Sequence, residues 1–476
     1  MFSDLKDLLN YVKKNEIQML DFKVVDLTGR WRHITYSTRH LNEGIFEEGT
    51  GISLSPYPGY RRIEQGDMKI VPDLTTAFVD PFFEVPTLSF LTDILTKDGM
   101  SYIRDPRKVA KRAEEYLKKL EIGESFWSPE LEFYIFDLVR YGTTEHGSFF
   151  DIDSQEGVWQ GHEKGIAGGQ GYYPPRAASG QCDMPRDHLV DVRTKMVQLI
   201  ENAGIPVKYH HHEVGGPGQA EIEVFFNTLL KTADHMMIMK YVIKNAAIKE
   251  GLTATFMPKP LYGEAGNGIH YHQYLAKNER SLFYNKNGYA GMSNLALNYA
   301  GGLLANTPSL MGITNASTNS YLRFGLGLAA PRYLTFSESN RSSALRIPGY
   351  AINEKEARIE YRLPDATGNP YLTLAGMLMA GLRGIKKKTD PEKNGFGPYD
   401  VNIYALPEPE RKKLKVLPNS FSEALNYLKS DHKFLVEGNV FSEELIEAYI
   451  QMKFEKEIDM IAERPHPYEY ELYYDL

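Results

Sequence analysis

The sequence predicts an α+β protein, with a small N-terminal unit over 1–103 and a larger C-terminal domain over 104–476 in which an antiparallel sheet is backed by helices. Three observations carry this. At 476 residues the chain exceeds the size at which a single core stops growing, so two domains or one large elaborated domain are expected. Stretches of helical period alternate with short stretches of period 2. Several of the period-2 stretches carry charge on one face only, with an apolar opposite face. The composition, 42% hydrophobic and 24% charged, is that of an ordinary folded chain. A net charge of −8 without a basic run argues against nucleic acid as the main partner. The single cysteine, Cys182, leaves no intrachain disulfide framework and fits a reducing compartment. No apolar run approaches the roughly 20 residues that cross a bilayer. The N-terminus lacks a signal-peptide core, so a cytoplasmic protein without a membrane partner is expected.

In chain order, Phe2, Leu5, Leu8, Leu9 and Val12 share one face of a first helix. Leu20, Phe22 and Val24 alternate in a strand over 18–25, and Thr28-Gly29 turns it back into 31–35. Residues 43–67, rich in Gly, Pro and Tyr, read as a long loop holding Glu47, Glu48, Glu64 and Asp67. Asp105-Pro106 opens a helix, an acidic cap followed by proline at the first helical position. WSPELEFYIF (127–136) is a strand with Glu130 and Glu132 on one face and Leu131, Phe133 and Ile135 on the other. Residues 141–186 read as loop, and Leu189 to Ile200 as a helix that Gly204 stops.

YHHHEVGGPGQAEIEV (209–224) follows as strand, turn and strand, bringing Glu213 up from one side of the turn and Glu221 and Glu223 from the other. Carboxylates meeting in this way suit a hard divalent cation; alone, the stretch also fits a hairpin with a solvated acidic face. A helix over 232–250 and a glycine-broken loop lead to a strand carrying His270 and His272 on one face. Residues 294–305 form a small-residue helix, and the polar stretch after it places Arg323, Arg332, Arg341 and Arg346 among glycines and serines. KEARIEYRL (355–363) alternates Arg358, Glu360 and Arg362 against Ile359, Tyr361 and Leu363. Asn369-Pro370 starts a buried helix, Ser420 with Glu423 forms a capping box, and a last helix runs from about Ser442 to before Pro465.

Four strands thus pair an apolar face with a face of chemically active charge. Solvated faces explain this poorly, because charges of both signs would crowd the open side of one sheet. A cleft follows, with carboxylates and histidine for two or more Mg²⁺ or Mn²⁺ ions and arginines for an anionic group, as phosphoryl transfer requires. There is no G-x-x-x-x-G-K-[ST] loop.

Through SPELEF, HHEVGGPGQAEIE, TATFMPKP with GNGIHYH, NRSSALRIP and ARIEYRLPDATGNPYL, the chain resembles type I glutamine synthetases over nearly its whole length. The resemblance implies a β-grasp-like N-terminal domain and a catalytic domain that uses ATP to form glutamine from glutamate and ammonia through a γ-glutamyl phosphate. It assigns one metal to Glu132, Glu213 and Glu221 and a second to Glu130, His270 and Glu360, with two or three ions per site. Arg341, Arg346, Lys355, Arg358 and His272 fall to ATP and the transferred phosphoryl group. Arg323, Arg362, Gly266 and His270 fall to glutamate, and Arg341, Arg362, Glu48 and Asp67 to catalysis. It further implies stacked hexameric rings in which the loop around 48–67 completes a neighbour's site. Tyr404, in DVNIY, falls at a tyrosine that some bacterial members carry adenylylated.

The departures lie where the attacking amine belongs. A GYEAP-type segment reads GLAAP, with Ala329 in place of the flap glutamate; a DGSS-type aspartate is Glu48; and an asparagine before the first histidine is Ala265. Two alternatives follow: a γ-glutamyl ligase for a larger amine, whose acceptor gains space from Ala329, and a non-catalytic relative.

Overall fold

A computed structural model describes residues 2–60, 66–159, 171–324 and 330–476, so Glu64 and Ala329 lie outside the described residues. Two sheets organise them. Helix α1 (Leu5–Lys14), capped by the Asp4 side chain, precedes β1 (Met19–Val25) and β2 (Trp31–Ser37), the expected hairpin. Leu20, Phe22 and Val24 are fully buried, yet so is Asp21, whose partners are Lys23, His33 and Thr35. The stretch read as a loop is more ordered than its composition suggests. It holds helix α2 (Ile45–Glu48) and strand β3 (Thr50–Ser53), which pairs with β4 (Asp67–Pro72). With β5 (Phe78–Val79) and β6 (Thr87–Thr96) these make a six-stranded sheet of order β2-β1-β6-β4-β3, with β1 and β6 parallel and β5 on β6.

Helix α3 (Pro106–Lys119) begins at the Asp105 cap, and β7 (Glu124–Phe136) is the central strand of the second sheet. Residues 138–153, expected to be largely irregular, form a hairpin of β8 (Leu138–Thr143) and β9 (Ser148–Asp153). Next come α4 (Val190–Asn202), β10 (Val207–His212), β11 (Gln219–Val224), β12 (Asn227–Thr228), α5 (Leu229–Lys249), β13 (Thr253–Thr255), β14 (Ile269–Lys277) and β15 (Arg280–Ser281). Helix α6 (Asn294–Thr314) runs well beyond the expected end, through Pro308, because it is almost wholly buried and packs along a later helix. The short α7 (Thr318–Leu322) leads to β16 (Phe336–Glu338), β17 (Leu345–Ile347), β18 (Ile359–Tyr361) and then α8 (Pro370–Lys387), the helix beside α6. Strand β18 is thus shorter than the nine-residue alternation suggested. The sheet has order β10-β11-β7-β14-β18-β17-β16 and is antiparallel except for the pair β16 and β17.

Register then makes the site. Across β11 and β7, Glu221 faces Glu132 and Glu223 faces Glu130; across β7 and β14, Glu130 faces His270; across β14 and β18, His272 faces Glu360. The opposite face, with Leu131, Phe133, Ile222, Ile269, Ile359 and Tyr361, lies in a core closed by α3, α5, α6 and α8. Arg107 in the first turn of α3 ties the two sheets together. Its guanidinium donates to Asp73 (2.8 Å) and Asp93 (2.7 Å) beside the first sheet and to Asp234 of α5 (2.8 and 2.9 Å). Among the described residues no helix is long and apolar enough to cross a membrane.

Candidate active site

The charged face of the second sheet opens into a cavity of about 350 Å³. Glu130, Glu132, Glu213, Glu221, His270 and Glu360 line one part of it, and Arg323, Arg341, Arg346 and Arg362 another, with Gly266 between. The acidic-hairpin alternative fails on exposure. Glu132 is 7% exposed, Glu221 4% and Glu360 1%, so these carboxylates are withdrawn from water and must be compensated.

Compensation is uneven. His270 and His272 donate to the two oxygens of Glu130, each at 2.8 Å. Burial works against ionisation there, but these bonds hold Glu130 well below the usual carboxylate range. Glu360, bonded to Arg346 and Arg362, is also buried, yet the charges of Arg362, His272 and His270 keep its carboxyl at about 2. Glu221 goes the other way: burial and the charges of Glu130, Glu213 and Glu132 push it well above the ordinary value, despite a 3.1 Å contact with His211. Glu213 is raised by burial and by Glu132. Burial alone would lower His211, but its bond to Glu221 lifts it to about 9. Negative charge therefore exceeds positive charge where β10, β11 and β7 meet, which is the condition a divalent cation relieves.

Ligand atoms within 4.8 Å of one another fall into three groups among the described residues: Glu130, Glu221 and His270; His211, Glu213 and Glu221; Glu130, His272 and Glu360. These cut across the two expected triads. Glu132 Oε2 accepts from the Gly268 amide at 2.5 Å, Glu360 is bonded to Arg346 and Arg362, and His211 reaches Glu221.

Arg323 is fixed by main-chain carbonyls, donating to Leu363 (2.7 Å), Pro364 (3.3 Å) and Arg362 (3.0 Å). Gly268 permits this, because a Cβ there would stand 2.3 Å from the Arg323 Nη2. Of the other expected residues, Arg358 and His272 stand behind the lining, joined at 3.4 Å, with the Arg358 guanidinium over Phe226 and Tyr350. Lys355 is exposed and does not line the cavity. Glu48 and Asp67 belong to the first sheet unit, are exposed, and are not brought to the cavity within one chain. Ala265 lines it and is buried. The Tyr404 hydroxyl donates to the Ala330 carbonyl (2.8 Å), and Ala330 lies on the cavity wall.

Sequence reasoning missed Tyr209, His211, Gln181 and Tyr350, all on the lining. The signal for two of them was present, because the alternation that aims Glu213 inward aims Tyr209 and His211 with it. Gln181 and Tyr350 come from irregular segments that carry no period.

Comparison with known proteins agrees with this geometry. Residues 16–97 match the glutamine synthetase β-grasp domain and residues 103–473 the glutamine synthetase catalytic domain. The chain is 44% identical over 481 residues to a glutamine synthetase of Frankia alni, covering 100% of both chains. It is 42% identical over 478 residues to a 3-hydroxylaminophenol mutase of Cupriavidus pinatubonensis, again covering 100% of both. Among solved structures, a glutamine synthetase of Plasmodium falciparum superposes with a TM-score of 0.89 at 26% identity, covering 99% of each chain.

Proposed function

The chain belongs to the glutamine synthetase family, and from that premise we propose that it joins ammonia to the γ-carboxylate of glutamate, using ATP and passing through a γ-glutamyl phosphate. The observation that carries this reading is the single cavity in which buried, undercompensated carboxylates face four arginines. A carboxylate oxygen of glutamate attacks the terminal phosphorus of ATP and ADP leaves; the amine then attacks the acyl carbon, and phosphate departs with the carboxylate oxygen. The arginines offset charge on the phosphoryl group and the substrate carboxylates.

Glu132, Glu213 and Glu221 would hold one divalent ion and Glu130, His270 and Glu360 another, as Mg²⁺ or Mn²⁺, with His211 and His272 as further donors beside them. When bound, such ions neutralise phosphate charge and act as Lewis acids. Arg341, Arg346, Arg358, Lys355 and His272 serve the nucleotide in this reading, and Arg323, Arg362, Gly266 and His270 serve glutamate. Glu48 and Asp67 act in a neighbouring protomer's cavity, which accounts for their distance from their own. We place a β-grasp domain at 1–103 and a catalytic domain at 104–476, and the protomers in stacked hexameric rings in the cytoplasm. A non-catalytic protein would have no need of a complete set of buried ligands.

Ala265 favours a second reading. It is a small, uncharged side chain on the cavity wall, and with Ala329 it lowers both bulk and charge for the attacking amine, which suits an amine larger than ammonia. Phosphate release with Mg-ATP and glutamate decides between the two when ammonium, hydroxylamine and a panel of alkylamines and polyamines are compared. Ammonia ligation predicts the highest kcat/KM with ammonium; a higher value with an alkylamine or polyamine would assign the larger acceptor.

A further inference from the structure

A second cleft, of about 2050 Å³, lies between the β1–β2 turn, helix α5 and the C-terminal helices, away from the carboxylate face. Lys240 and Lys244 are four residues apart on α5 and so share a helix face. Their ammonium groups lie 5.9 and 5.8 Å from the centre of the same ring, Phe256. Arg30, from the β1–β2 turn, lines the same cleft. None of the three cations forms an ion pair with a carboxylate among the described residues; the Lys240 ammonium donates to the Ala366 carbonyl, at 2.7 Å.

Three cations brought together with no carboxylate bonded to them repel one another, and they are the more conspicuous in a chain of net charge −8. The effect shows at Lys240, where burial first and Lys244 second push the ammonium down to about 7, Asp365 pulls it back in part, and Arg30 adds a smaller push downward. The acids that line the cleft, Glu444, Glu447, Glu455 and Glu457, all stand on the C-terminal wall. Of these, Glu444 is paired with Arg104 and Glu457 with Lys453, Glu455 accepts from the neutral Gln451 amide, and none of the four pairs with Arg30, Lys240 or Lys244 among the described residues. No carboxylate of the described residues pairs with the three cations, which leaves the cleft open to an anion from outside the chain.

We propose that Arg30, Lys240 and Lys244 form a binding site for a small multivalent anion, a phosphate or a polycarboxylate, separate from the catalytic cavity. Ammonium and guanidinium donors satisfy several oxygens at once, and Phe256 keeps one side of the site dry. Calorimetric titration of the full-length protein, at fixed ionic strength and without turnover, tests it with inorganic phosphate in one arm and citrate in the other.

The parent should show a site for at least one of the two anions that Lys244→Met and Arg30→Gln each weaken by about tenfold or more, the loss expected for one charged hydrogen bond. Lys240→Met should abolish it. Arg30 and Lys244 are exposed, so their variants keep the test open if Lys240→Met does not fold. Anion binding at the catalytic arginines would survive all three substitutions and is thereby told apart. Preference for phosphate or for citrate identifies the ligand class. Absence of binding by either anion, or equal affinity in parent and variants, would overturn the proposal. Neither result depends on which amine the catalytic cavity uses.

Discussion

Glu213 and Glu221 carry the strongest claim at the scale of single residues, because burial and like charge raise both above the ordinary carboxylate value. A group in that state is an acid waiting for a cation. Glu213→Ala should lower kcat/KM by about a hundredfold or more, since a charge-stabilising contact worth several kcal/mol is removed. It should leave the circular dichroism spectrum unchanged. Activity near the parent's would refute the metal assignment. Much of this wall was legible in the sequence, because alternation alone placed Glu130, Glu132, Glu221, His270 and Glu360 on one face. The grouping of ligands was not legible, since it depends on Gly268 reaching Glu132 and on two arginines reaching Glu360, contacts set by register and not by spacing.

Helix α3 joins the two sheets through Arg107, and this junction has a pH signature. Asp73 is half-buried, which would raise its pKa, but Arg107, Thr75 and Lys111 hold it at about 2. Its folded value lies below the unfolded value, so it stabilises the protein above about pH 4 and loses that effect as pH falls toward 2. Asp73→Asn should therefore be less stable than the parent by about 2 kcal/mol near pH 6, with the gap closing in acid, as denaturant midpoints across pH would show. A gap that stays constant would mean that the Arg107 junction does not act through this charge.

Long elements with one apolar and one polar face were legible, whereas the largely buried β6, β16 and β17 lack that contrast between faces and were not. The β8–β9 hairpin exposes nearly every residue, so it carries no alternation to find. Strand β3 hides in a stretch dominated by glycine, proline and tyrosine. Helix α6 continues past Pro308, where packing against α8 overrides the local break.

At the scale of the whole molecule, Glu48 and Asp67 are exposed and remote from their own chain's cavity, so the account requires a neighbouring protomer. Glu48→Gln and Glu213→Ala, each inactive alone, should restore activity when dissociated and reassembled together. Random mixing leaves roughly a quarter of the sites with one intact half from each variant. No recovery in mixed oligomers would place Glu48 outside the site. In the sequence this was legible only through the family resemblance, and in one chain its sign is the exposure of the two carboxylates outside the cavity lining.

The central claim, that the γ-carboxylate of glutamate is phosphorylated before the amine attacks, is tested most directly by isotope transfer. Glutamate carrying ¹⁸O in its γ-carboxylate is turned over with Mg-ATP and the preferred amine, and the released phosphate is weighed by mass spectrometry. The account predicts one ¹⁸O in each phosphate formed. Phosphate free of ¹⁸O under turnover would contradict it.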